Sequence, residues 1–408
     1  MSYILGISAF YHDSSAALIK DGVIISAVQE ERFTRIKHDN KFPSNSIKFI
    51  LKNSNLKLEN ISFVVFHEKP FLKFERLLET HIAFAPKGFK SFSSSMPIWL
   101  RDKLFQKKLI LDQLKNIDKS FKDDNKLKFS EHHLSHAASA FYPSPFEEAI
   151  ILTIDGVGEW ATTTLSKGYK NNIEIMKEIH FPHSLGLLYS AFTFYLGFKV
   201  NSGEYKVMGL APYGEPKFKE VIKKNLIDIK KDGSFRLNMD FFDYATGLKM
   251  INQKFETLFN RKRRHPEIEN LDQFHMDIAS SLQSLTEEIV LKICQDISKK
   301  YNKPNLCLAG GVALNCVANG KIIESELFKN VWIQPASGDS GCSLGAALAY
   351  WHNELQKNRL EPIEDKMKGS YLGPSFTNKE VKSKLDNIGA KYEFLDNEKL
   401  YETSSKLL

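Results

Sequence analysis

The chain has 408 residues, 42% hydrophobic and 26% charged, with a net charge of +7. This is the make-up of an ordinary globular protein with room for two or three cored domains. No apolar run is long enough to span a bilayer, and Met1 to Ile4 leads into a strand instead of a signal peptide, so no membrane partner is expected.

The four cysteines, Cys294, Cys307, Cys316 and Cys342, form no C-x-x-C pair. They read as reduced, buried thiols of a cytoplasmic protein. Positive charge is spread as single lysines, with one cluster at Arg261 to Arg264. A solvated loop is the main reading of that cluster, a phosphate or nucleic-acid contact the lesser one.

In chain order, Tyr3 to Ser8 is an apolar strand running into Phe10-Tyr11-His12-Asp13-Ser14-Ser15. Ala16 to Lys20 is a second strand, Asp21-Gly22 a hairpin turn, and Val23 to Gln29 a third strand. The turn after the first strand places His12, Asp13 and Ser15 beside free backbone N–H groups. Such a turn can hold phosphate oxygens or deprotonate a hydroxyl, and equally fits a surface hairpin. Ser44 to Leu51 reads as an N-capped helix and Ile61 to His67 as a strand. The lysine-rich stretch Lys90 to Lys128 reads as a helical insertion on the surface.

Next comes Glu131-His132-His133-Leu134-Ser135-His136. On a helix His132 and His136 share a face, so two imidazoles can meet one ion. With 12 histidines in the chain such a pair also arises by chance, and two hydrogen-bonded helix histidines remain an equal reading. The strand Ala149 to Ile154 then ends on Asp155, Gly156 and Gly158. Two histidines with a strand-end aspartate suit a divalent transition metal with positions left open.

The strand–turn–strand pattern then recurs: Ala149 to Asp155, Ala161 to Ser166, the turn Lys167-Gly168, and Ile173 to Glu178. This repeat predicts a duplicated actin-like, or ribonuclease H-like, core with a nucleotide in the cleft between halves. Leu185 to Leu196 is a buried helix, and Gly203 to Gly214 carries Glu204 and Lys206 either in a plain turn or reaching into the cleft. His275 to Lys299 holds Ile278, Leu282, Leu285, Ile289, Ile293 and Ile297 at helical spacing. The strand Asn305 to Ala309 runs into Gly310, Gly311 and Asn315, a strand-to-helix turn that suits a phosphate. The strand Val331 to Gln334 opens onto Ser337-Gly338-Asp339, where Asp339 either caps the following helix or offers a fourth metal ligand.

Together these stretches resemble the NodU-type O-carbamoyltransferases. The resemblance rests on Tyr11 to Ala17, Glu30 to Arg35, Glu131 to Ala137, Asp155-Gly156, Gly203 to Gly214, Ala309 to Asn315 and Ser337 to Gly341. It implies an α/β chain whose residues 1–360 form a TsaD-like, actin-like domain with helical insertions, in halves of about 1–140 and 145–360. It implies a divalent metal, iron in the family, on His132, His136, Asp155 and Asp339. His12 would be the base that activates an acceptor hydroxyl, and Lys37 would contact carbamoyl-adenylate. Asp13, Ser15, Gly156, Glu204, Lys206, Gly310, Gly311 and Asn315 would line the nucleotide.

Residues 361–408 resemble the opening of a second, YrdC-like α/β domain, which in the family makes carbamoyl-adenylate from carbamoyl phosphate and ATP. The chain is therefore expected to be incomplete alone and to borrow that domain in cis or trans. The acceptor is expected to be a hydroxylated small molecule, a sugar or natural product, and not a nucleic acid. Two rivals share the core: a sugar-kinase-like phosphotransferase, which has no use for a histidine pair, and a non-catalytic nucleotide-dependent scaffold, which leaves His12 idle.

Overall fold

The computed structural model describes residues 1–99, 105–360 and 365–408. Part of the predicted insertion, 100–104, and the start of the predicted second domain, 361–364, lie outside the described residues. Tyr3–Ser8 (β1), Ser15–Lys20 (β2) and Val23–Gln29 (β3) form an antiparallel meander. β1 then pairs in parallel with Phe63–Phe66 (β4), and β4 with Leu127–Phe129 (β5). In the second half Glu148–Ile154 (β6), Ala161–Tyr169 (β7) and Asn172–His180 (β8) repeat the meander. A small hairpin, Ile227–Ile229 (β9) with Phe235–Leu237 (β10), follows. Asn305–Ala309 (β11) and Asn330–Ile333 (β12) then add in parallel beside β6.

The two large sheets read β3-β2-β1-β4-β5 and β8-β7-β6-β11-β12, one order used twice. The predicted duplication is thus present strand for strand, and the class is the actin-like, ribonuclease H-like fold. Its central strands lie between layers, so they read as unbroken apolar runs: Ile4, Leu5, Ile150, Ile151 and Leu152 are at most 1% exposed.

The helices His132–Phe141 and Asp339–Ala349 each come after the last strand of their half and meet at the centre of the molecule. Their backbones touch at Gly345, where a Cβ would lie 1.7 Å from the Ser135 carbonyl oxygen. The long helix is Gln273–Tyr301, capped by Asp272, with the predicted isoleucine and leucine stripe buried.

Several local expectations are corrected. The lysine-rich stretch is not a surface appendage. Its helix Gln106–Ile117 buries Ile110, Leu111 and Leu114 in the first-half core, and it ends in β5. Ser44 does not cap its helix; the buried Glu30 carboxylate accepts from the Asn45 and Ser46 N–H groups instead. The arginine cluster is only partly a solvated loop. Arg264 is buried and donates to the Leu196 carbonyl, and Arg261 pairs with Glu269 and Asp272. Three cysteines are buried, but Cys316 is exposed.

Contacts divide the chain into Met1–Leu372 and Gly373–Leu408. The second unit holds the helices Asn378–Asn387, with a Thr377–Glu380 capping box, and Asn397–Leu407. No described helix is long and apolar enough to cross a membrane.

Candidate metal and nucleotide site

The site forms where strand ends of both halves meet the two central helices. His132 and His136 lie one turn apart on the same helix face, and their Nε2 atoms are 3.1 Å apart. Asp155, just past β6, brings Oδ2 to 3.1 Å from His132 Nε2 and 3.7 Å from His136 Nε2. Asp339, first residue of the other central helix, brings Oδ1 to 3.7 and 3.6 Å from the same atoms. The four side chains predicted as ligands are therefore brought together, and all are buried.

The fit of this set to a metal ion can be judged from its spacing. Two bonds of about 2.1 Å opening at 90–109° place donor atoms about 3.0–3.4 Å apart, close to the separations here. The Nδ1 atoms of His132 and His136 are buried without a hydrogen bond among the described residues, and both rings turn Nε2 into the cluster. The electrostatics agree. Burial pushes the Asp155 carboxyl up, but hydrogen bonds from His132 and His136 hold it well below the usual range. Asp339 is likewise held down, against burial, by His12 and His136. His136 is raised, against burial, by Cys342, Asp155 and Asp339. The pocket thus sets carboxylates held ionised against imidazoles, and a cation there would take over the part that imidazole protons play in balancing them.

His12 sits beside this cluster, with Nε2 3.6 Å from Asp339 Oδ2. Its Nδ1 is 2.8 Å from Asp13 Oδ2, and His38 Nδ1 is 2.8 Å from Asp13 Oδ1. Asp13, with φ of 52°, therefore stands between two histidines and has both oxygens engaged. Burial lowers the His12 pKa, but Asp339 and then Asp13 outweigh it and raise it to about 9.

A cavity of about 220 Å³ opens from here and is lined by His12, Asp13, Asp155, Gly156, Glu204, Gly311 and Asn315 together with Tyr11, Tyr189 and Tyr205. Gly310 takes φ of 89° with its Cα against the Ile154 backbone, which no other residue could occupy without strain. It thereby aims the Gly311 N–H at Asp155 Oδ1, 2.8 Å away. Asn315 caps the next helix and exchanges two hydrogen bonds with Gln283 at the cavity wall.

Four residues predicted to line or contact the nucleotide, Gly310 among them, are not part of the cavity lining. Ser15 is buried and donates to Ser340 O and Ser343 Oγ, so it fastens β2 to the central helix and does not line the cavity. Lys206 is exposed near Phe198. On the helix Glu204–Leu210, positions two apart point about 200° apart, so of the pair Glu204 faces the cavity and Lys206 does not. Lys37 is exposed at the rim, with Nζ 4.4 Å from the Tyr205 ring centroid.

Sequence reading missed Cys342, whose sulfur lies within 4.8 Å of donor atoms of His132, His136 and Asp339. It stands three residues after Asp339 on one helix, a spacing that could have found it. His38 and Glu159 were missed too, since their partners lie far off in sequence.

The family model for the carbamoyltransferase N-terminus matches residues 3–348. The chain belongs to this family of carbamoyltransferase enzymes. It is 55% identical to the uncharacterized protein sll1178 of Synechocystis sp., over all of this chain and 67% of that one. It is 35% identical to the nodulation protein NolNO of Sinorhizobium fredii, over 90% of this chain and 50% of the relative. The chain thus spans between half and about two thirds of the length of these two relatives. Among solved structures, HypF of T. kodakarensis superposes with a TM-score of 0.42 at 13% identity, covering 89% of this chain and 50% of that one.

Proposed function

We propose that this chain transfers a carbamoyl group from carbamoyl-adenylate to a hydroxyl of a sugar or another hydroxylated small molecule. The observation that carries the reading is the placement of His12 Nε2, 3.6 Å from Asp339, between the metal-type cluster and the cavity. The adenosine is assigned to the cavity floor, formed by Gly156, Gly311 and Asn315 with Tyr189 and Tyr205. Lys37 can swing from the rim towards the adenylate.

His132, His136, Asp155 and Asp339 would hold a divalent transition metal, and iron is among the ions that two imidazoles and two carboxylates suit. Such an ion supplies Lewis-acid stabilisation of negative charge on phosphate oxygens. In the metal-free chain Asp339 is the main group that keeps His12 protonated, and a cation held on Asp339 would offset that charge. The neutral ring would then take the proton of the acceptor hydroxyl at Nε2, while Asp13 holds its Nδ1–H and fixes the ring. The hydroxyl oxygen bonds to the carbamoyl carbon, the bond from that carbon to the phosphate oxygen breaks, and AMP leaves with the electron pair. Synthesis of the adenylate from carbamoyl phosphate and ATP is assigned to a YrdC-like domain in cis or trans.

Isothermal titration of the metal-loaded chain with a non-hydrolysable carbamoyl-adenylate analogue tests the site assignment. Wild type should bind it, and Gly311→Val should weaken binding by at least about tenfold, because the added side chain starts 3.0 Å from Asp155 Oδ1 and enters the cavity. Absence of binding by wild type, or sugar phosphorylation by the chain with ATP and Mg²⁺, would favour the kinase-like alternative.

A further inference from the structure

The helix His132–Phe141 begins at its first metal-type ligand, yet its N-cap residue, Glu131, makes no side-chain cap. Glu131 is instead paired with Lys69 Nζ at 2.7 Å. The N–H of His132 donates to Glu159, with both Oε1 and Oε2 at 3.1 Å. The same carboxylate accepts the N–H of Lys69 at 2.7 Å, at the start of the helix Pro70–Phe84. One buried carboxylate therefore serves the N-termini of two helices, where the helix dipole favours negative charge.

Glu159 lies on the short loop that leaves β6 through Asp155. That loop is held from two further directions. Arg76 of the helix Pro70–Phe84 donates to the Gly158 carbonyl. Gly158 lies so close to the histidine helix that a Cβ would be 3.1 Å from His132 Cβ and 2.9 Å from His133 Cδ2. The pair joined through this loop, His132 and Asp155, is also the tightest imidazole–carboxylate pair of the cluster, at 3.1 Å against 3.6–3.7 Å for the others.

We infer that Glu159 is a positioning residue for the metal centre: it ties the backbone of His132 to the loop of Asp155 and sets the spacing of these two donors. The inference rests on the metal reading of the cluster. Glu159→Gln is the sharp variant, because the amide keeps the shape but offers one acceptor oxygen and turns an NH₂ towards one of two backbone N–H donors. Removal of a group that orients a ligand typically weakens metal binding by about 10–100-fold.

The measurement is Co²⁺ affinity of the chain by competition with a chelating indicator, together with the visible absorption of bound cobalt and the thermal melt of the metal-free protein. Glu159→Gln should raise the dissociation constant about 10–100-fold and alter the cobalt spectrum. Glu159→Asp, which keeps both oxygens on a shorter arm, should fall between it and wild type, and carries the test if the glutamine variant does not fold. Glu131→Gln, beside the same helix end, should match wild type. A lower melting temperature with wild-type affinity and spectrum in both Glu159 variants would overturn the inference alone. Failure of wild type to take up cobalt would overturn the metal reading and this inference with it.

Discussion

His12 stands between two carboxylates, Asp13 at Nδ1 and Asp339 at Nε2, and a half-buried imidazole that would otherwise be neutral is charged there. Its pKa, raised to about 9 against burial, makes it a source of pH-dependent stability in the metal-free chain. The folded value lies above the ordinary one of about 6.5, so the contribution is fully present below about pH 6.5 and is lost as pH rises through about 9. In chelator, His12→Gln should be less stable than wild type by on the order of 2 kcal/mol near pH 6, with the gap closed by about pH 10. Urea denaturation at both pH values measures it, and an equal gap at both would mean that the ring is uncharged in the fold. Spacing alone put forward His132, His136 and Asp155 as one possible ion site against an equally good plain reading, and left Asp339 and His12 open; the full set came from the family resemblance, and the structure brings these side chains together. It could not show that Ser15 is spent on Ser340 and Ser343, a contact across more than three hundred residues. Lys206 was misplaced for a simpler reason. A segment taken as a turn is a helix, and its helical angle sends the lysine away from the cavity.

Among the elements, the central helix pair decides whether the proposed ligands meet at all. Asp339 comes from one helix, His132 and His136 from the other, and Gly345 sets how closely they lie. Gly345→Val must push the Ser135 backbone away, which should cost about 3 kcal/mol or more of stability and separate Asp339 from the histidines. Denaturant unfolding reads the first effect and cobalt uptake by the folded fraction the second; wild-type values for both would contradict this account of the helix contact. The repeated meander was visible from the sequence because each copy pairs strands adjacent in the chain, though the turn expected at Lys167-Gly168 lies inside β7 and the chain reverses at Lys170-Asn171 instead. The last strand of the first sheet and the helix before it were not. Lysines around Ile110, Leu111 and Leu114 hide the apolar face, and β5 has only three residues.

At the scale of the molecule, duplication explains the location of the site. Each half presents the end of its first strand, the turn after it, and the start of its final helix to a shared cleft. One half supplies His12, His132 and His136, the other Asp155, Gly311 and Asp339. The four-donor cluster and the cavity beside it are each built from both halves, so under the proposal transfer depends on the pair. The measurement that bears most directly on the proposal is a single-turnover assay. Metal-loaded chain is mixed with labelled carbamoyl-adenylate and a panel of sugars and other hydroxylated acceptors, and the label is followed into carbamate esters. Wild type should transfer the label to at least one acceptor, and His12→Ala, though still binding the adenylate analogue, should be slower by about 10²–10⁴-fold, the usual loss of a general base. Transfer by His12→Ala at the wild-type rate, or an adenylate-bound wild type that carbamoylates no hydroxyl, would contradict the account.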